Sequence, residues 1–117
     1  MPSFQWEIDF WDDSPVKRDF RSLPLETKKR LKGRIENDEE KFTLNEMVSL
    51  GRLEHIGKRL CELRFHLGKN QFRFLGFVKG NIFYALEFFP KKQNKIDPVI
   101  IERANNRLKK IKETNVI

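Results

Sequence analysis

The sequence predicts an α+β fold with the element order β-α-α-β-β-β-α, and three observations predict it. An N-terminal run alternates apolar and polar residues. Two helical patterns follow it. Then come three strand-like runs between positions 60 and 89 and a closing helical pattern. The expected architecture is a small, mostly antiparallel sheet with an N-terminal helical hairpin and a C-terminal helix packed on it. The 117 residues fit a single domain, 1–117, around one core.

In the stretch FQWEIDF, Phe4, Trp6, Ile8 and Phe10 alternate with Gln5, Glu7 and Asp9, which makes a half-buried strand. Asp13 or Ser14 is expected to cap a short helix with Pro15 in its first turn. Val16, Phe20 and Leu23 stand at i, i+4 and i+7 on one face of that helix. Pro24 reopens the chain. A second helix to about Glu40 has a thin apolar face of Leu25, Leu31 and Ile35, with Phe42 at its end. Asn45 to Gly57 reads as a loop leading into a short strand, with Gly51 and Gly57 as breakers.

Strands are then expected at about 60–67, 71–78 and 82–89. The turns GKN (68–70) and KGN (79–81) join them. Side chains alternate between faces along a strand. Cys61, Leu63, Phe65 and Leu67 therefore share one face, and Glu62, Arg64 and His66 the other. Phe72, Phe74 and Val78 share a face, and Arg73 points away from them. In the last element Asp97 is an N-cap and Pro98 the first helical residue. Ile101, Ala104, Leu108 and Ile111 form the buried stripe of a helix ending near Glu113, with Arg103, Lys109 and Lys110 on its outer face.

Composition narrows the function. With 38% hydrophobic and 35% charged residues, the chain is too apolar to be disordered and too charged for a membrane protein. Eleven phenylalanines imply an aromatic-rich core. The net charge of +7 is uneven: residues 1–50 carry 9 Lys/Arg against 11 Asp/Glu, and residues 51–117 carry 15 against 6. A basic half points to a polyanion, most often nucleic acid. The single cysteine, Cys61, excludes an intrachain disulfide; a buried, inert thiol in a reducing cytoplasm is expected. No signal peptide is visible, and no run approaches the ~18 apolar residues of a membrane helix, so no membrane partner is expected. Without a CxxC pair, a His/Cys cluster or a phosphate-binding glycine loop, no metal and no cofactor are expected. Asp12 and Asp13 suit a helix N-terminus. Asp38, Glu39 and Glu40 read as a solvated run.

Glu62, Arg64 and His66 share a strand face, and Arg73 joins them if the register of the tight turn allows. Lys91 and Lys92 leave the third strand beside the same region. The bland reading is a solvated sheet face on which Glu62 pairs with an arginine across strands, a common arrangement that contributes little. The functional reading is a phosphate site. Arginine forks grip phosphate oxygens, and several cations stabilise charge developing there. RNA supplies its own 2′-hydroxyl nucleophile, so a metal is unnecessary. Glu62 and His66 are the side chains with convenient proton chemistry. His55, in the loop region, is a weaker candidate.

LCELRF, QFRF, FFPKKQNKIDP and IIERANNRL, in that order, resemble the RelE/HigB superfamily of toxins, most of all its phage-derived HigB-like branch. The resemblance spans about Leu60 to Leu108; the earlier strand and helical hairpin match in architecture only. It implies a RelE-like fold, similar to that of small microbial ribonucleases. It also implies the toxin of a type II toxin–antitoxin pair: a metal-independent endoribonuclease that cleaves messenger RNA, usually on the ribosome, and so inhibits translation and growth. A cognate antitoxin of helix-turn-helix type is the expected partner. By position, Arg64 and Arg73 match the strand cations, Glu62 the Glu of ELR, and Lys91 and Lys92 the basic pair. With that match and the strand-face reading together, the expected catalytic set is Arg73, Arg64, Glu62 and Lys92, and Lys91, His66 and Lys95 are expected to bind RNA. Some relatives place a tyrosine near the start of the last helix. Here Ile96, Asp97 and Pro98 stand there and Tyr84, the one tyrosine, lies in a strand, which leaves the general base open: Glu62 is the first choice, though it could equally be a structural partner of Arg64, and His66 is the other candidate. The alternative is a non-catalytic basic module that blocks ribosomal or other RNA by occupancy.

Overall fold

The computed structural model describes residues 4–12, 14–91 and 96–113, the side chains of Lys91 and Glu113 excepted. The elements run β1 (Glu7–Phe10), α1 (Val16–Arg21), α2 (Leu25–Lys41), α3 (Leu44–Ser49), β2 (Leu53–His55), β3 (Cys61–Leu67), β4 (Asn70–Lys79), β5 (Ile82–Lys91) and α4 (Pro98–Glu113). The five strands form one sheet in the order β1-β5-β4-β3-β2. The β2–β3, β3–β4 and β4–β5 pairs are antiparallel, and β1 runs parallel to β5. The fold is α+β with a mixed sheet, as a chain with a crossover from β1 requires.

The alternation of side chains divides the sheet into two apolar faces. On the first, Leu63, Phe65, Phe72, Phe74, Phe83 and Phe88 pack under Phe20, Leu31 and Ile35 of α1 and α2. On the second, Leu75, Phe77 and Leu86 meet Ala104, Leu108 and Ile111 of α4. Phenylalanine rings do much of the filling. Phe74 lies between Phe88 at 4.7 Å and Phe65 at 6.0 Å, centroid to centroid, in the offset and edge-on arrangements that rings prefer. Gly68, at φ 60°, makes the tight β3–β4 turn and thereby fixes the register of the strands that carry the candidate site.

Several expectations are corrected. The Asn45–Gly57 segment leads into a short strand as expected, β2, but its first part is not loop: it belongs to the helix α3. Thr43 and Glu46 build a reciprocal capping box that starts α3. Ser14 does not cap α1; its hydroxyl donates to the Trp11 carbonyl at 2.6 Å, and the cap position is Pro15. Asp13 lies outside the described residues. Leu25, expected on the apolar face of α2, is exposed, and the face is carried by Leu31 and Ile35. The C-terminal helix begins as predicted, with the Asp97 carboxylate accepting from the Val99 N–H at 2.9 Å.

Asp38 and Glu39 are buried, not a solvated run, because the end of α2 is tied to β1 and to Arg52. The Trp6 indole donates to the Asp38 carbonyl at 3.1 Å, and Arg52 pairs with the Asp38 carboxylate. The Ile8 N–H donates to the Glu39 carboxylate at 2.9 Å. Burial raises the Glu39 pKa; the Ile8 hydrogen bond opposes that rise only in part, and Glu7, Glu36 and Glu40 add to it. A carboxyl group raised in the folded state holds its proton there more tightly than in the unfolded chain. Its ionisation therefore removes stability as pH rises through that window. Glu39→Gln keeps an acceptor for Ile8 and removes the charge, so it is expected to raise Tm at neutral pH. The gap to wild type is expected to shrink on mild acidification. Thermal melts of both proteins across that pH range check this.

Candidate functional site

The turn at Gly68 places Arg64 directly opposite Arg73, Glu62 opposite Leu75 and His66 opposite Gln71. Even-numbered residues of β3 and odd-numbered residues of this part of β4 share the second face of the sheet, so both arginines lie on one side. They converge on a single atom. Arg64 Nε donates to Glu62 Oε1 at 2.5 Å, and Arg73 Nη1 donates to the same oxygen at 2.5 Å. Arg73 Nη2 also donates to Gln71 Oε1 at 2.8 Å. Arg64 Nη1 donates to the Gly51 carbonyl at 2.9 Å, and its Nη2 pairs with Glu54.

Burial grades across the group. Glu62 is 1% exposed and Arg73 5%. The Arg64 side chain is 25% exposed, and His66 is exposed beside the turn. The sequence implied a surface patch; the lower half of the cluster is instead interior, because this face is roofed by α4 and not solvated. Arg73 Nε and Glu62 Oε2 are buried without a hydrogen-bond partner among the described residues. Such atoms cost stability, and native structures keep few of them.

Electrostatics separate the members. Burial pushes the Arg64 guanidinium down, but hydrogen bonds and charge from Glu54 and Glu62 outweigh it and hold Arg64 above its ordinary value. For His66 every influence acts in one direction. Burial, then the charges of Arg52, Arg73, Arg34 and Arg64, hold its pKa below the usual histidine value. The imidazole at the mouth of the cluster is therefore neutral at neutral pH and able to accept a proton.

The backbone of Lys91 stands opposite Gln71, level with His66 across the sheet. Lys92 and Lys95 lie outside the described residues. His55 is in β2, where its Nδ1 lies 3.2 Å from Cys61 Sγ, away from the arginine pair. Cys61 is buried as expected, and burial pushes its thiol up to about 11. Among the described residues no group of His, Cys, Asp and Glu could hold a metal ion. No described helix is long and apolar enough to cross a membrane.

Sequence reasoning missed Gln71, Glu54 and the Gly51 carbonyl as partners of the arginines. Gln71 escaped because a GKN turn at 68–70 sets it opposite Leu67, whereas the observed two-residue turn at 68–69 sets it opposite His66. It also missed a second ionic cluster. Glu87 is buried on β5, and Arg103 and Arg107 of α4 hold its two oxygens at 2.6 and 2.9 Å. Arg103, expected on an outer face, thus anchors α4 to the sheet. Leu75 stands in register between Glu62 and Glu87.

A family profile described as phage-derived Gp49-like protein (DUF891) matches residues 18–109. The chain belongs to this family. The match runs from within α1 to within α4 and includes every residue of the two ionic clusters. No curated protein sequence matches the chain.

Proposed function

We propose that this Gp49-like protein is the toxin of a type II toxin–antitoxin pair and acts as a metal-independent endoribonuclease on messenger RNA. The family is associated with RelE/HigB-like toxins, which supports the class. The observation that carries the chemistry is the pairing of two guanidinium groups on one carboxylate, with a neutral imidazole at the mouth.

Arg64, the partly exposed member, meets the scissile phosphate. Arg73 and Glu62 lie behind it and fix its direction, as a supporting layer must if a site is to hold its geometry. His66 takes the proton of the 2′-hydroxyl. The 2′-oxygen bonds to phosphorus and the bond to the 5′-oxygen breaks, leaving a 2′,3′-cyclic phosphate. The departing 5′-oxygen takes a proton from the Lys91–Lys92 pair, and Lys95 holds the RNA backbone. This arrangement gives Glu62 the part of counter-ion and moves the base to His66, because an interior carboxylate held by two arginines is badly placed to abstract a proton.

A second reading has its own support. Both Nη atoms of Arg73 are already held, by Glu62 and Gln71, which suits a structural ion pair beneath a basic surface that binds ribosomal or other RNA without cutting it. The test is to map the 5′ ends of messages after induction of wild type, Arg64→Ala and His66→Ala at equal expression. The enzyme gives discrete new 5′-hydroxyl ends inside coding regions. Each variant is expected to lose about a hundredfold or more of that cleavage; His66→Ala is expected to melt like wild type, and Arg64→Ala, which strips one donor from the buried Glu62, to melt lower but stay folded at the assay temperature. Intact messages during growth arrest would favour occupancy.

A further inference from the structure

We propose that Gln71 and Phe89 form a base pocket that selects guanine or uracil immediately 3′ of the cut. The pocket deepens the ribonuclease reading and rests on it. Two rungs of the sheet place it. Arg64, Arg73 and Phe89 stand in line across β3, β4 and β5, and His66, Gln71 and Lys91 stand in line one rung nearer the Gly68 turn. Neighbouring strands lie about 4.8 Å apart, so Arg64 and Phe89 are roughly 10 Å apart at the backbone. A nucleotide with its phosphate on Arg64 therefore reaches Phe89 with its base. In the proposed reaction the leaving 5′-oxygen is on the Lys91 side, so that base belongs to the nucleotide after the cut.

The Gln71 amide is oriented by its neighbour. Its Oε1 accepts from Arg73 Nη2 at 2.8 Å. A guanidinium can only donate, so the carbonyl end must face Arg73 and the NH2 end must face away from it. Glu62 holds the other Nη atom of Arg73, which keeps that direction fixed. Gln71 is half-buried at the mouth, and among the described residues nothing accepts from its NH2 group. That end of the amide offers donors only. Guanine and uracil present a carbonyl oxygen, O6 or O4, where adenine and cytosine present an amino group. A fixed donor pairs with the keto bases and faces another donor in the other two. Phe89 supplies the stacking surface. It lies on the second face of the sheet, half-buried against the α4 cluster. Nearby rings engage each other, Phe72 with Phe88 at 6.0 Å and Phe77 with Tyr84 at 5.1 Å, whereas Phe89 has no ring partner among the described residues. A partly exposed ring takes any base by stacking, and the amide beside it then chooses among them.

The experiment titrates the whole protein with the four nucleoside 5′-monophosphates and follows amide shifts, which need no cleavage. Wild type is expected to bind GMP and UMP about tenfold or more tighter than AMP and CMP. Gln71→Leu is expected to level the four. Gln71→Glu keeps an acceptor for Arg73 and turns a second acceptor to the base, so it is expected to favour AMP and CMP. Phe89→Leu is expected to weaken all four about tenfold or more, and Phe89→Trp to keep them. Thermal melts verify that the variants fold. Lost support for Arg73 alone would lower Tm without moving the ratio of keto to amino bases, so that ratio separates a pocket from a structural role. Equal binding of the four by wild type, a preference that survives Gln71→Leu, or full affinity in Phe89→Leu would each overturn the proposal. The map of message 5′ ends tests the reaction separately. Keto-selective binding with intact messages would leave the base pocket standing and end the ribonuclease reading. New ends that begin with all four bases alike, beside equal binding of the monophosphates, would end the pocket and leave the ribonuclease reading standing.

Discussion

Glu62→Ala is expected to cost about 3–5 kcal/mol of folding stability, the usual effect of removing one partner from a buried ion pair. Glu62 is fully interior, and its Oε1 receives a donor from each arginine. Alanine would leave the Arg73 guanidinium buried with Gln71 as its one remaining hydrogen-bond partner among the described residues. Arg64 would suffer less, because it keeps Glu54 and the Gly51 carbonyl and reaches solvent. A loss of that size is a large part of the ~5–15 kcal/mol that holds a domain of this kind folded. It would lower Tm by roughly 10–30 °C. Arg73→Ala is expected to cost less, since Glu62 would still be paired with Arg64. The double variant Glu62→Ala/Arg73→Met, which removes the charge together with its partner, is expected to recover part of the loss. Denaturant unfolding of the three variants gives the coupling directly. If Glu62→Ala unfolds within about 1 kcal/mol of wild type, the carboxylate is not the hub of the cluster.

The same cluster shows how far the sequence could be read. Parity along CELRFHL puts Glu62, Arg64 and His66 on one face, and the sequence leaves open whether Arg73 joins them; a GKN turn at 68–70 sets Arg64 against Phe74, whereas the structure turns at 68–69 and sets it against Arg73. Burial was not legible, because it depends on α4 crossing that face, and α4 is joined to β5 by a connection that gives no local sign of where the helix will lie. Asp38 and Glu39 misled for the same reason. Their neighbours in sequence are polar, and the groups that bury them, Trp6, Ile8 and Arg52, come from distant positions. The α3 helix had a local signature in Thr43-x-x-Glu46, but its six residues offer too short a period to stand out. The parallel pairing of β1 with β5 is likewise a property of the whole chain. An alternating run reads the same in either direction.

Gly76→Ala is expected to destabilise by at least about 3 kcal/mol, or to prevent folding. A Cβ at Gly76 would sit 2.0 Å from the Tyr84 carbonyl oxygen and 2.8 Å from its carbon, backbone atoms that no rotamer change can move aside. The crowding arises at an irregularity in the β4–β5 ladder. Leu75 pairs with Glu87 and Gly76 with Ala85, so Leu86 is the extra residue on β5 and the strand bends in toward β4. A methyl group there would force β5 outward. Phe83 and Ala85 would leave the first apolar face, and Glu87 would lose its alignment with Arg103 and Arg107. Both faces of the sheet would be affected by one methyl group, which is why the cost exceeds that of an ordinary strand glycine. Gly33 provides the control. It lies within α2 with nothing within 4 Å of a built Cβ, so Gly33→Ala is expected to stabilise by about 0.5–1 kcal/mol through helix propensity alone. Guanidinium unfolding followed by far-UV circular dichroism measures both. Opposite signs at the two glycines would tie the loss to the approach of β5. A Gly76→Ala protein as stable as wild type would mean that β5 passes farther from β4 than the structure places it.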